Sequence, residues 1–257
     1  MSDGTAPAQS ESRSAPRPAT GSGRSGRRRP VTQVLLLRIL EARLADLDGA
    51  AALTVIDLGG GTGGVATALA ERGHRVTVID PSPDALASLE RRTAELGLAD
   101  RINGLQGDAG NLADLVPPGS ADLVLCHRVL DVVDNPADAL ASVTGVLRSG
   151  GMLSLLVPQR HALVLSHALA GHIGLAREVL ADRSRFDHDS TLELVRAAGL
   201  EIVAEHGIGA AADHVAEAVV ESGAGAYAEL LALETELSTD PAFRAIAPAL
   251  HVSARRP

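Results

Sequence analysis

Val55-Ile56-Asp57-Leu58-Gly59-Gly60-Gly61-Thr62-Gly63-Gly64 is the stretch on which the fold turns. Its first half is a short apolar run of the kind buried in a sheet. It passes without a spacer into five glycines in six positions, and a helical pattern follows. Glycine has no Cβ, so the backbone can turn tightly there and a ligand can approach where a side chain would collide. In an open α/β sheet such a turn lies at the carboxyl end of the first strand, where ligands bind. A tight turn without a ligand is the bland alternative, and a strand–glycine–helix order this dense argues against it.

Outward from this loop, short apolar runs at 53–58, 75–80, 101–106, 121–126 and 152–157 alternate with helical patterns at 62–72, 83–97, 136–148 and 161–181. A helix over 31–46 precedes them. A helix at 191–198, a strand at 200–206, a helix at 227–237 and a strand at 251–255 follow. The alternation predicts an α/β fold with a doubly wound, mostly parallel, seven-stranded sheet. The strands are continuously apolar, as expected when helices cover both faces.

Two ligand classes compete for the loop. Gly59, Gly61 and Gly64 match the dinucleotide pattern G-x-G-x-x-G, and Asp80 follows at the end of the second strand, where a ribose-binding acid would sit. Asp57 favours the other class. A pyrophosphate gains nothing from a carboxylate two residues before its loop, whereas the sulfonium and ammonium of S-adenosylmethionine do. Asp80 then reads either as a bidentate acceptor for ribose hydroxyls or as the cap of the helix beginning near Pro83. Gly107-Asp108-Ala109, after the third strand, reads as an adenine contact or as a surface turn. His127, after the fourth, reads as a pocket wall, a base or a strand cap. Its neighbour Cys126 reads as a small buried residue rather than a nucleophile.

Composition narrows the function. Hydrophobic residues make up 46% of the chain, but Phe, Tyr and Trp together number three, which excludes a surface that binds nucleic acid by aromatic stacking. Every one of the 23 basic residues is Arg, which excludes lysine Schiff-base chemistry. One cysteine allows no internal disulfide, and a reducing, cytoplasmic setting is expected. His161, His167 and His172 fall on different faces of a helix, so no metal site is expected there. No apolar run reaches the roughly 20 residues a membrane span needs. The stretch 27–37 begins like a basic signal peptide, but Arg38, Glu41 and Arg43 interrupt the apolar segment that follows, and it reads better as an amphipathic helix.

Residues 1–30, rich in Arg, Ser, Gly and Pro, are expected to be a disordered tail, and 31–257 one domain. The tail carries six of the 23 basic residues and two of the 32 acids, leaving 17 Arg against 30 acids in the rest. An acidic domain is poorly suited to gripping a polyanion.

The D-x-G-x-G-x-G pattern from Asp57 to Gly63, together with Leu147-Arg148-Ser149-Gly150-Gly151-Met152-Leu153, resembles the class I S-adenosylmethionine-dependent methyltransferases. Three further stretches resemble the tRNA 5-carboxymethoxyuridine methyltransferase family: Cys126-His127-Arg128-Val129-Leu130-Asp131, Val164-Leu165-Ser166-His167-Ala168-Leu169-Ala170-Gly171 and His251-Val252-Ser253-Ala254-Arg255-Arg256-Pro257. The resemblance implies a Rossmann-like fold and methyl transfer from S-adenosylmethionine, in that family to a carboxylate on a wobble uridine. It implies cofactor contacts from Gly59, Gly60, Asp80 and His127. With the reading of the residues, the expected cofactor set is Asp57, Gly59, Gly60, Gly61, Asp80, Asp108, Ala109 and His127.

The departures lie on the acceptor side, in about 158–245. A family segment like G-V-R-V-F corresponds here to Gly207-Ile208-Gly209-Ala210-Ala211-Ala212-Asp213, without Arg or aromatic residue. Pro30-Val31-Thr32-Gln33 stands where an Arg-bearing helix start is expected, and the basic insertion is shortened to Asp182-Arg183-Ser184-Arg185-Phe186-Asp187. The acceptor is therefore open: a carboxylate or hydroxyl of a small molecule, or tRNA. A silent cofactor-binding regulator and a nicotinamide dehydrogenase are the rival readings. Arg160 and His161 are the expected residues nearest the acceptor, and no catalytic residue is assigned.

Overall fold

The computed structural model describes Met1 and residues 29–47, 52–221 and 223–257. Apart from Met1, Arg29 and Pro30, the expected tail lies outside the described residues. In chain order the elements are α1 (Val31–Leu44), β1 (Thr54–Leu58), α2 (Gly64–Glu71), β2 (Arg75–Asp80), α3 (Pro83–Leu96), β3 (Ile102–Gln106), α4 (Leu112–Leu115) and β4 (Ala121–His127). Then come α5 (Pro136–Val146), β5 (Leu147–Pro158), α6 (Arg160–Leu169), α7 (Ile173–Ala181), α8 (His188–Ala197) and β6 (Glu201–Ile208). A 3-10 turn (Ala212–His214), α9 (Glu217–Glu221), α10 (Ala224–Thr239), α11 (Pro241–Arg244) and β7 (Ala249–Arg255) close the chain.

The strands form one seven-stranded sheet in the order β3-β2-β1-β4-β5-β7-β6. Only β7 runs against its neighbours, pairing antiparallel with β5 and β6. The order reverses between β1 and β4, so their carboxyl ends open a crevice there, with Leu58 level with Ile79 on one side and Cys126 on the other. Both faces of the sheet are covered. Ile56 and Leu58 pack with Leu140 and Val143 of α5 on one face. Val55 and Val78 pack with Leu36 and Leu40 of α1 and Leu69 of α2 on the other. Each such buried side chain contributes about 2 kcal/mol of apolar burial, which explains the unbroken apolar runs of the strands.

Helix starts follow local chemistry. The Ser82 hydroxyl accepts from the Ala85 N–H at 3.3 Å ahead of Pro83, and Asn135 caps α5 ahead of Pro136. Asp187 and Ser190 close a reciprocal capping box on α8. The expected helix at 161–181 is two helices. Gly171, at φ +79°, ends α6 in a Schellman motif: its N–H reaches the Ala168 carbonyl at 3.0 Å, and the His172 N–H reaches that of His167 at 2.8 Å. The expected helix at 62–72 starts later, at Gly64, because Gly63 takes φ +75°. Strand β5 begins five residues earlier than expected, at Leu147, where it pairs with Ala121 before a register irregularity. The short α4, α9 and α11 have too few turns to show a hydrophobic period.

Candidate functional site

The glycine loop sits at the reversal point of the sheet. The Gly59 N–H is held by the Ile79 carbonyl at 2.7 Å, and the Gly61 N–H by Asp80 Oδ2 at 2.8 Å. Asp80 Oδ1 accepts from the Ser82 N–H at 2.9 Å. Asp80 is thus not the cap of α3, a role Ser82 fills. It ties the loop to the end of β2 while each carboxylate oxygen keeps a lone pair for a ligand.

At three of the loop glycines the protein's own side chains already occupy the place a Cβ would need, so only glycine fits there. A Cβ on Gly59 would lie 2.7 Å from Val129, one on Gly60 2.6 Å from the Asp57 carboxyl carbon and one on Gly63 2.3 Å from Leu89. Over Gly61 the space is open, the nearest atom being Asp80 Oδ2 at 3.9 Å. Asp57 lies beneath the loop and is 4% exposed. Burial, reinforced by the charge of Asp80, pushes its carboxyl up to about 7. The Asp80 carboxylate beside the open space over Gly61, with Asp57 half ionised near pH 7 beneath the loop, disfavours a pyrophosphate and favours a cation. The cradle therefore fits S-adenosylmethionine, which carries a sulfonium and an ammonium and no phosphate.

Asp108 and Ala109 lie in the loop after β3, on the same rim. Asp108 is exposed and its Oδ1 accepts from the Gly110 N–H at 2.8 Å; Ala109 is buried. His127 ends β4 half-buried. Its Nε2 is 2.8 Å from the Ser154 hydroxyl, which lies 2.8 Å from His251 Nε2, and the His251 ring stands 5.7 Å from that of His206. Pairing places His127, Leu156, His251 and His206 in one row across β4, β5, β7 and β6. Burial lowers all three imidazoles, His127 and His206 to about 4. His127 is therefore neutral at pH 7 and a weak base, which favours the pocket-wall reading over proton abstraction. Cys126 is fully buried and its thiol is pushed up to about 12, mainly by burial, so it is no nucleophile.

A cleft of about 900 Å³ adjoins the cradle beyond β4 and β5. Its walls include Arg128, Leu130, Gln159, Leu165, Phe186 and Asp213. Arg128 takes φ +60°, a conformation costly for a non-glycine residue, and its backbone N–H is held by the Leu156 carbonyl at 2.8 Å. The Gln159 amide donates to the Arg244 and Ala247 carbonyls at 2.7 and 2.9 Å, fixing the approach to β7. Arg160 does line this cleft, but it is buried and its guanidinium is bound by Asp187. Its charge is thus spent on holding α6 to α8. His161 is half-buried on α6 and does not line the cleft.

One arrangement escapes inspection of the sequence. The four backbone N–H groups of Gly209, Ala210, Ala211 and Ala212 converge on the buried Glu234 carboxylate of α10, at 2.5, 2.9, 2.8 and 2.8 Å. A run of glycine and alanine has no polar side chains with which to meet its own N–H groups, and that is the signal that a partner had to come from elsewhere. Among the described residues no cluster of His, Cys, Asp and Glu is placed to hold a metal ion, and no helix is long and apolar enough to cross a membrane.

Residues 56–155, spanning β1 through β5, match the family model described as a methyltransferase domain. The chain is 29% identical to the tRNA 5-carboxymethoxyuridine methyltransferase of Escherichia coli K12 over 234 residues, 88% of each chain. It is 40% identical over 111 residues to an uncharacterised methyltransferase of Mycobacterium tuberculosis, covering 42% of this chain and 40% of that one. The crystal structure of an S-adenosylmethionine-dependent methyltransferase from Mesorhizobium loti superposes with a TM-score of 0.55 at 19% identity, over 84% of this chain and 96% of the other. At that identity the superposition speaks for the fold.

Proposed function

Since this chain is a class I S-adenosylmethionine-dependent methyltransferase, we propose that it methylates a small molecule held in the cleft beyond β4 and β5, on a carboxylate or hydroxyl group. The cleft itself carries this reading. At about 900 Å³ it is sized for a small organic molecule. Each arginine lining it, Arg128, Arg160 and Arg185, already has an aspartate partner. Beyond the tail the chain holds 17 Arg against 30 acids, a poor balance for displacing counterions from a polynucleotide.

In this reading Asp57, Gly59, Gly60, Gly61, Asp80, Asp108, Ala109 and His127 make up the cofactor site. The bound cofactor supplies an electrophilic methyl group on a sulfonium. The glycines admit it against the backbone, Asp80 accepts from its ribose, Asp108 and Ala109 border the adenine, and neutral His127 walls the pocket without competing for protons. The 158–245 segment closes the acceptor side and excludes water, and the rate gain comes mainly from orientation at near-attack distance. A carboxylate acceptor is ionised at neutral pH and needs no base, whereas a hydroxyl needs one.

A second reading, methylation of tRNA, is favoured by the likeness to the Escherichia coli enzyme over 88% of the chain. The test is transfer of labelled methyl from S-adenosylmethionine to a tRNA pool and to a low-molecular-weight metabolite pool. Label confined to the metabolites supports the proposal, and label in tRNA overturns it in favour of the second reading. Tight cofactor binding with no label in either pool would mark a silent cofactor-binding protein.

A further inference from the structure

A polar chain of side chains runs from the glycine loop into the core along one face of the sheet. Cys126 stands level with Leu58 across β1 and β4, so His127, the next residue, follows level with Gly59 at the head of the loop. Asp57 is level with Leu125, and alternate residues of a strand point the same way, so the His127 side chain shares the face of Asp57. Ser154, level with Leu125 on β5, is on that face too. Its hydroxyl lies 2.8 Å from His127 Nε2 and 2.8 Å from His251 Nε2.

Burial holds both imidazoles well below their ordinary titration, so each is neutral at pH 7 and carries one N–H. The bridging hydroxyl also has one proton. It donates to one ring and accepts from the other, so the two rings hold opposite tautomers. Two arrangements satisfy the bridge. In the first, His251 Nε2–H donates to Ser154, the Ser154 hydroxyl donates to His127 Nε2, and His127 keeps its own proton on Nδ1. In the second every bond is reversed, and the His251 proton sits on Nδ1.

The two ends of the chain decide between them. His251 is fully buried, and its Nδ1 has no hydrogen-bond partner among the described residues. The neighbouring His206 ring, 5.7 Å away, does not supply one. The second arrangement therefore strands an N–H in the core, the rarer kind of unsatisfied group. The first leaves only a bare nitrogen lone pair there. Its outer proton, on His127 Nδ1, is at the half-buried end of the chain, where that nitrogen has no protein partner among the described residues and is not sealed in the core.

We infer that Ser154 and His251 are positioning residues that fix the proton of His127 on Nδ1, so that His127 meets the cofactor as a hydrogen-bond donor to one of its oxygen atoms, a role that rests on the cofactor assignment above. Both ring nitrogens are then committed, Nε2 as an acceptor from Ser154 and Nδ1 as a donor. His127 has no lone pair left with which to take a proton from an acceptor hydroxyl.

The experiment is long-range proton–nitrogen NMR of the histidine rings at pH 8, where His127, His206 and His251 are neutral, with calorimetric titration of S-adenosylmethionine on the same samples. Wild type, Ser154→Ala and Ser154→Thr are compared. In the wild type the His127 proton is expected on Nδ1 and the His251 proton on Nε2. In Ser154→Ala the bridge is gone, so His127 should show both tautomers and the affinity for S-adenosylmethionine should fall about threefold. Ser154→Thr keeps the hydroxyl, and should keep the tautomers and, within about twofold, the affinity. A serine that only fills space would leave the ring protons where they are. A wild-type His127 proton on Nε2 would overturn the inference, and so would a Ser154→Ala variant that loses affinity with its tautomers unchanged. The wild-type spectrum decides the tautomers even where the alanine variant fails to fold. A wild type with the expected tautomers that binds no S-adenosylmethionine would instead remove the cofactor assignment, and the donor role with it.

Discussion

Asp57 makes the cradle unstable in proportion to its charge, and that instability is measurable. Its carboxyl titrates near 3.8 in an unfolded chain and is pushed up to about 7 in the fold, by burial first and by Asp80 second. The folded state therefore binds the proton more tightly than the unfolded state does. Linkage then gives stability that is fully present below pH 3.8 and is lost as the pH rises through about 7. The full difference corresponds to about 4 kcal/mol. Asp57→Asn keeps the shape of the protonated acid and removes the titration. The two proteins should have equal stability near pH 3, and the variant should be more stable by about 1.5 kcal/mol at pH 5 and by about 4 kcal/mol at pH 8. Urea unfolding at several pH values reads this directly. The comparison must be between the two proteins, because His127, His206 and His251, all lowered by burial, contribute the opposite slope below their ordinary value of 6.5. Those imidazoles are common to both proteins and cancel. A gap that does not widen with pH, or an asparagine variant less stable at pH 8, would refute the assignment of Asp57 as a buried acid held near neutrality. The same variant should bind S-adenosylmethionine more weakly, since the destabilising charge is the one that attracts the ligand.

Three further outcomes follow from the geometry. Asp80→Ala should weaken S-adenosylmethionine and S-adenosylhomocysteine alike, by about tenfold or more, because it removes both the ribose acceptor and the tie to the Gly61 N–H; calorimetry checks it. Gly63→Ala forces a side chain into φ +75° and to within 2.3 Å of Leu89, and should cost about 2 kcal/mol in urea unfolding with a matching loss of cofactor affinity. Glu234→Ala leaves four N–H groups without their acceptor and should cost about 3 kcal/mol, with Gly209–Ala212 losing amide-exchange protection before the central strands do.

The features legible in the sequence are those whose cause is local. The five strands up to β5, the glycine loop and the acids at the ends of β1 and β2 lie where pattern and turn chemistry put them, because a buried strand must be apolar throughout and a ligand-bearing turn must be small. The break at Gly171 is also local, but the apolar pattern continues across it, so Val164 to Leu180 reads as one helix. What could not be read depends on partners distant in the chain. Glu234 meets a loop 22 to 25 residues before it, and nothing in either segment alone names the other. The His127–Ser154–His251 chain needs the register of β4, β5 and β7, which the sequence leaves free. Arg160 lines the cleft, but its partner Asp187, the capping residue of α8, lies 27 residues further on and could not be read from the sequence.

The account stands most directly on which ligand the cradle accepts. Titration of the wild-type protein with S-adenosylmethionine, S-adenosylhomocysteine and NAD should show binding of both sulfur ligands and no heat from NAD. Binding of NAD without either sulfur ligand would contradict it, and would mean that the carboxylates at the glycine loop do not govern the choice of ligand.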